Sequence, residues 1–310
     1  MKYSLAGHII SIQVSETAKT VSSVCCDATQ FLDTILPSFI PFKMDDETGT
    51  ASLQSLMNLT IVDNLKEVKD ARLIRDVDTG NGMTRVDKLS SGGYQFLVRD
   101  IFGYACALLQ TSPHFEDCKV AIRGSLPTMR FALNNALMLS YAFSSAYHDT
   151  LLIHASVVRH KGISYAFTAK SGTGKSTQVA NWLRNIPECD LVNDDNPIIR
   201  IERAKDGSAL PMLYGSPWSG KTPCYRNIKA PLGAIVMIKR DDHNEMIPQS
   251  ALESFVTVLS ACSAMKWDEE LYTHVCRTCS KFVETIQVTE LHCLPDAESA
   301  LTACSYLTRS

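Results

Sequence analysis

The residues that most restrict what this chain can become are Ala169-Lys170-Ser171-Gly172-Thr173-Gly174-Lys175-Ser176. Their spacing is that of a phosphate-binding loop, with Ala169 in place of the usual first glycine. Such a loop needs a strand before it and a helix after it. Ile163-Ser164-Tyr165-Ala166-Phe167 reads as the strand, and Thr177-Gln178-Val179-Ala180-Asn181-Trp182-Leu183 as the helix. Gly172 and Gly174 allow backbone conformations that aim successive N–H groups at phosphate oxygens, and the helix adds its positive N-terminal end. On this reading the stretch from Ala169 to Thr177 binds a nucleotide. Lys175 contacts the β- and γ-phosphates, and Ser176 places a hydroxyl on nucleotide-bound Mg²⁺.

The loop lies in the second half of 310 residues, a length at which two domains are the default expectation. We expect a mixed α+β domain over 1–126, a junction helix over 127–148 and an α/β catalytic domain over 149–310. The junction helix is read from a long apolar run containing Phe131, Leu133, Leu137, Leu139, Tyr141 and Phe143, which covers most of its circumference and implies burial. The first half reads as short strands at Ala6–Val14, Leu56–Val62, Ala71–Arg75 and Gly93–Val98. Turn signals at Asp78–Gly82 and Ser90–Gly93 separate them.

The second half alternates strand and helix. Strands are expected at Leu151–Val158, Ile163–Thr168, Asp190–Val192, Ile198–Ile201, Leu232–Lys239 and Ile286–Leu291. Helices are expected at Ser176–Arg184, Ser250–Met265, Asp268–Val283 and Asp296–Leu307.

Charge narrows the partners. With 30 basic and 33 acidic residues well mixed, the net charge of −3 supplies no field for nucleic acid or an anionic membrane. No apolar run reaches the length of a membrane-spanning helix, and the start lacks a signal-peptide stretch, so a cytoplasmic protein is expected. The 11 cysteines are scattered through apolar segments, and their odd number argues against a complete disulfide framework. Cys276-Arg277-Thr278-Cys279, preceded by His274, has no second cysteine pair at zinc-ribbon spacing and reads as helix core.

Three further segments carry chemistry. Leu191-Val192-Asn193-Asp194-Asp195 ends an apolar strand with adjacent carboxylates, where a phosphate-loop protein needs an acid for Mg²⁺. Neighbours on an extended chain point opposite ways, so one carboxylate can hold metal while the other faces an acceptor. The run is also good turn chemistry. His154 ends the apolar stretch Leu151-Leu152-Ile153, where a lone histidine is more often structural. The segment Gly215–Asn227 combines flexible residues with Lys221 and Arg226, both suited to a phosphate or to charge developing during its transfer.

Together, His154-Ala155-Ser156, the loop, Asn193-Asp194-Asp195 and Gly215-Ser216-Pro217-Trp218-Ser219-Gly220-Lys221 resemble the HPr serine kinase/phosphorylase and phosphoenolpyruvate carboxykinase group of P-loop proteins. The similarity covers about residues 150–240 and is closest to bacterial HPr-kinase-related proteins, some of which phosphorylate serine on a peptide. It implies a carboxykinase/HPr-kinase-like P-loop fold for the C-terminal domain, with ATP and Mg²⁺ as cofactors. The roles it implies are phosphate binding by Lys175 and the loop backbone, and Mg²⁺ binding by Ser176 and Asp195. Asp194 would accept the proton of an attacking hydroxyl, the two aspartates being exchangeable, and His154 would sit near the transferred phosphate. It also implies a homo-oligomer. Thr177 stands where HPr kinases usually carry Glu, and their distinctive C-terminal segment has no counterpart, which points away from HPr as acceptor.

The activity expected is an ATP- and Mg²⁺-dependent kinase acting on a hydroxyl, with serine of a peptide or protein foremost. The alternatives are a nucleotide-binding regulator without transfer activity and a carboxykinase-like lyase.

Overall fold

The computed structural model describes residues 1–15, 27–45, 54–170 and 172–309. Ser171, expected among the nucleotide-binding residues, lies outside them. The chain is a mixed α/β protein that divides into two compact units, Met1–Ser145 and Ala146–Ser310, each built on a large sheet.

The first unit contains β1 (Lys2–Leu5), β2 (His8–Val14), α1 (Ala28–Ile35), a 3₁₀ segment (Pro37–Phe42), β3 (Met57–Ile61), β4 (Arg72–Asp78), β5 (Met83–Lys88), β6 (Tyr94–Arg99), β7 (Ala105–Thr111), β8 (Asp117–Ile122) and α2 (Leu126–Ser145). Its sheet runs β1-β2-β3-β8-β7-β6-β5-β4 and is parallel at β2–β3 and β3–β8. Ala6 belongs to a turn rather than to the apolar strand expected from Ala6 to Val14. Ala6 and Gly7 take φ of 50° and 77°, the left-handed pair of a two-residue hairpin between β1 and β2.

Helix α2 closes this unit at Ser145. Leu133, Leu137 and Tyr141 are fully buried at helical spacing. The helix packs on β7 and β8, and the Tyr141 hydroxyl donates to Leu5 O at 3.0 Å. Phe143 joins Phe96 and Phe115, with ring centroids 6.4 and 5.3 Å away. One face carries the burial as far as Leu139, with Phe131 and Leu139 half-buried, and the final turns from Ser140 to Ser145 are buried all round.

The second unit opens with a 3₁₀ turn (Ala146–His148). It continues through β9 (Thr150–Leu152), β10 (Ala155–His160), β11 (Ile163–Thr168), α3 (Lys175–Asn185), β12 (Cys189–Asp195), β13 (Ile198–Arg203), β14 (Ala209–Tyr214), β15 (Lys229–Arg240) and β16 (Glu245–Pro248). Then come α4 (Ala251–Ala261), α5 (Glu269–Thr285), β17 (Gln287–Cys293) and α6 (Ala297–Leu307). The sheet order is β12-β10-β11-β15-β14-β13-β9, with β17 also on β15 and β16 on β17. Only β11–β15 and β15–β17 are parallel, so this is a mixed sheet.

Two expectations change here. The single strand expected over Leu151–Val158 is two strands, parted at Ile153 and His154, with β9 on β13 and β10 between β11 and β12. Strand β14 was not expected at all. Pro211 sits inside it, facing Ile201 of β13 but beyond the short ladder to β15, so its missing N–H is not needed there.

Trp182 of α3 is the largest fully buried side chain, with Tyr165 and Phe167 centroids 5.5 and 5.6 Å from it. Val158, Val179, Val236 and Leu291 complete the same cluster. On its other side α3 is tied to α6, where Asn181 donates to Asp296 O at 2.6 Å and Ser299 donates to Gln178 at 2.8 Å. The helix that follows the Gly172–Gly174 turn is thus held by both packing and buried hydrogen bonds. No described helix is long and apolar enough to cross a membrane.

Candidate functional site

The loop residues sit between β11 and α3. Gly172 and Gly174 take φ of 75° and 135°, conformations that glycine reaches without the Cβ penalty. Gly174 is the N-cap of α3 and no side chain caps it, so the first amides of the helix remain for an anion. Thr173 N donates to Lys170 O at 3.1 Å, closing the turn. Ala169 is buried, Lys170 and Thr177 are exposed, and Ser176 is exposed at the first turn of α3.

Two hydrogen-bonded strings start from this turn. In the first, Ser176 Oγ donates to Asp194 Oδ1 at 3.2 Å, and Ser156 Oγ donates to the same oxygen at 2.6 Å. Asp194 is only 4% exposed. The register explains the meeting: Ser156 of β10 is directly opposite Asp194 of β12.

In the second string, Lys175 Nζ is 2.9 Å from His154 Nε2, and His154 Nδ1 is 3.0 Å from Asp195 Oδ1. An ammonium can only donate, so these partners assign the tautomer with the proton on Nδ1 and the lone pair on Nε2. Burial holds the Lys175 ammonium below its ordinary pKa, and the nearby Asp195 and Asp194 charges oppose that shift. Asn196 Nδ2 donates to the other Asp195 oxygen at 2.6 Å. The two carboxylates therefore point to different partners, as alternation on an extended strand requires. They lie inside β12 rather than in a turn after it.

The strand break explains the position of His154. Its amide donates to Ala261 O at 2.8 Å, and its carbonyl accepts from Thr168 Oγ1 at 3.1 Å. The backbone is fixed from both sides, and the half-exposed ring is left to reach Lys175 and Asp195.

The segment after Tyr214 is tied to the same strand. Asn193, fully buried, donates to Ser216 Oγ at 3.2 Å and to Trp218 O at 3.1 Å. Gly220 N donates to Asp194 O at 2.5 Å, and a Cβ at Gly220 would approach that oxygen to 2.8 Å, which requires glycine there. Exposed Lys221 therefore follows directly on a residue bonded to the main-chain carbonyl of Asp194. Arg226 is held elsewhere. It pairs with Asp190 at 2.7 Å and donates to Leu191 O, roughly 16 Å back along β12 from Asp195 at the usual strand rise. Arg159 holds both oxygens of Asp190, Oδ1 at 3.0 Å and Oδ2 at 2.8 Å, sharing Oδ2 with Arg226, so Arg226 completes a surface ion cluster.

Arg240, at the end of β15, was not among the expected residues. Its guanidinium donates to Thr173 O at 3.0 Å and to Gly172 O. Ser156 was quoted only as part of a tripeptide. Its place two residues from His154 is the signal that both serve one end of the sheet.

The arrangement offers two chemistries side by side. Asp194 and Ser176 present hard oxygen donors that fit Mg²⁺. His154, oriented by Asp195, presents a nitrogen lone pair that can take a proton.

No family model matches the sequence, and comparison with curated proteins finds no match. Among solved structures the chain is similar to the Hpr(Ser) kinase/phosphatase from Coxiella burnetii, at 12% identity and a TM-score of 0.28, over 51% of this chain and 93% of that one. A likeness at that level carries no argument about activity, and the site is read from its own geometry.

Proposed function

We propose that the chain is a Mg²⁺-dependent kinase that moves the γ-phosphate of ATP, or of another nucleoside triphosphate, to a hydroxyl of a peptide or protein, with serine the foremost acceptor. The observation that carries this reading is the convergence of Lys175 and Ser176 on two separate acid partners, Asp195 through His154 and Asp194 directly. A chance glycine-rich turn has no reason to meet both.

Mg²⁺ in this site would neutralise charge developing on the transferred phosphate. Asp194 and Ser176 are the residues that would hold it. The amides of Gly172 and Gly174 and the α3 N-terminus bind phosphate oxygens, and Lys175 adds a cation to them. When Lys175 turns from His154 Nε2 to a phosphate oxygen, the Nε2 lone pair is released. His154 then takes the proton of the acceptor hydroxyl, and Asp195 stabilises the resulting imidazolium. Lys221, one residue after Gly220, would supply a further cation for the transferred group. This assignment moves the metal role implied by the family resemblance from Asp195 to Asp194 and the proton-accepting role from Asp194 to His154, and it leaves Arg226 outside the reaction.

Incubating the protein with γ-labelled ATP, Mg²⁺ and serine-containing peptides tests the reading. Label should appear in a phosphoester and require both Mg²⁺ and Lys175. Equal labelling by Lys175→Ala would remove the basis of the proposal.

A further inference from the structure

We infer that Arg240 is a positioning residue for the phosphate loop, acting on nucleotide binding by holding the loop's carbonyls from behind; this rests on the nucleotide-binding reading above. The loop's own sequence does not fix its shape. Gly172 and Gly174 take positive φ in open surroundings, with nothing within 4 Å of where a Cβ would be. Local sterics therefore do little to hold either peptide plane in place.

Arg240 supplies what is missing. Its Nε donates to Thr173 O at 3.0 Å, and a second guanidinium nitrogen donates to Gly172 O. A peptide unit carries its C=O and N–H on opposite sides. Fixing the Thr173 carbonyl therefore turns the amide of Gly174 away from Arg240, toward a phosphate, while fixing the Gly172 carbonyl backs the Thr173 amide that closes the turn on Lys170 O at 3.1 Å. A planar fork on two successive carbonyls resists rotation of both planes, which a lysine's point charge does not.

The arginine is itself well founded. It ends β15, a strand paired on both sides, with Arg240 opposite Cys293 of β17. Asp241 N donates to Cys293 O at 3.2 Å, and the Asp241 side chain meets His292 at 2.8 Å. The anchor thus links the glycine turn of the site to the middle of the sheet. Arg240 lies far from the loop in sequence, which is why motif spacing does not reveal it.

The test compares Arg240→Ala, Arg240→Lys and, as a control for losing a neighbouring cation, Lys239→Ala, whose native partner is Glu290 at 2.7 Å. Calorimetric titration with Mg-ADP and steady-state transfer assays with Mg-ATP are the readouts. Loss of two charge-assisted hydrogen bonds should raise Kd and KM about tenfold in Arg240→Ala while kcat stays within about threefold. Arg240→Lys should recover only part of the affinity, added guanidinium ion should restore some of it to Arg240→Ala, and Lys239→Ala should match the wild type. Unchanged Kd in Arg240→Ala, or the same shift in Lys239→Ala, would overturn the inference. Hydrogen exchange without nucleotide judges the anchor separately from the kinase reading. The peptide covering Gly172–Gly174 should exchange faster in Arg240→Ala while α6 is unchanged, and equal exchange would overturn the role even if wild type bound no nucleotide.

Discussion

Replacing Asp194 by Asn separates metal binding from folding, because the two effects should have different magnitudes. The carboxylate is 4% exposed and accepts two hydroxyl bonds, from Ser156 at 2.6 Å and Ser176 at 3.2 Å. Hydrogen bonds to a charged acceptor are worth about 1.5–3 kcal/mol each, so this pair contributes roughly 3–6 kcal/mol. Keeping a carboxylate out of water costs several kcal/mol in the opposite direction. Asn retains one acceptor oxygen and the shape of the side chain while removing that cost. The net change in stability should lie within about 1 kcal/mol, or roughly 4 °C in Tm for a unit of this size. Phosphate transfer should fall about 10²- to 10³-fold, because a preorganised charge would be lost from the place proposed to hold Mg²⁺. Scanning calorimetry and Mg²⁺-dependent transfer assays read the two quantities. A fall of more than 10 °C in Tm, or transfer and Mg²⁺ dependence like those of wild type, would refute the assignment of Asp194 as a buried metal ligand.

Other residues extend the account. Asp195→Asn should lower kcat about 10²- to 10⁴-fold through loss of the partner that fixes the His154 tautomer, with Mg-ADP affinity by calorimetry within about threefold. Trp182→Ala removes a fully buried indole from between Tyr165 and Phe167 and should cost about 3–5 kcal/mol, seen as a fall of roughly 10 °C in Tm. Glu290 offers a pH test. Burial opposes its ionised form, but Lys239, His292 and Gln249 outweigh that and bring its pKa to about 2. Its stabilising effect is therefore full above its unfolded pKa of about 4.3 and is lost as pH falls toward the folded value. His292 is raised by Asp241 and Glu290, so its share is full below about 6.5 and is lost as pH rises through its folded value. The Tm gap between wild type and Glu290→Gln should be widest between about pH 4.5 and 6.5 and should close near pH 2.

Local features of the second unit were legible where sequence and backbone speak the same language. A β-rich run before Gly172 and a helical run after it appear as β11 and α3, and Asp268 and Asp296 cap α5 and α6 as helix-start signals suggest. Parting of the chain at His154 was not legible. The run from Leu151 to Val158 has no glycine or proline to mark it, and the break is imposed by different neighbours, β13 for one piece and β11 and β12 for the other. Strand β14 was hidden by Pro211, whose position outside the ladder to β15 is a tertiary fact. Within the site, Lys175 and Ser176 came from loop spacing, but their partners did not. Ser156 meets Asp194 through cross-strand register, Arg240 reaches the loop from a distant strand end, and Arg226 is drawn to Asp190 by charge. Residue type suggested chemistry for Lys221 and Arg226 alike, and no sequence signal marked the Arg226–Asp190 ion pair.

Phosphate transfer itself is the measurement that bears most directly on the account. Wild type, Lys175→Ala and Asp194→Asn should each be given γ-labelled ATP, Mg²⁺ and a pool of serine-containing peptides and proteins. The expected result is label in an acid-stable phosphoester made by wild type, abolished by chelation of Mg²⁺ and absent or greatly reduced in both variants. Tight Mg-ATP binding by wild type with no transfer to peptide, protein or water would contradict it and would mark the chain as a nucleotide-binding regulator.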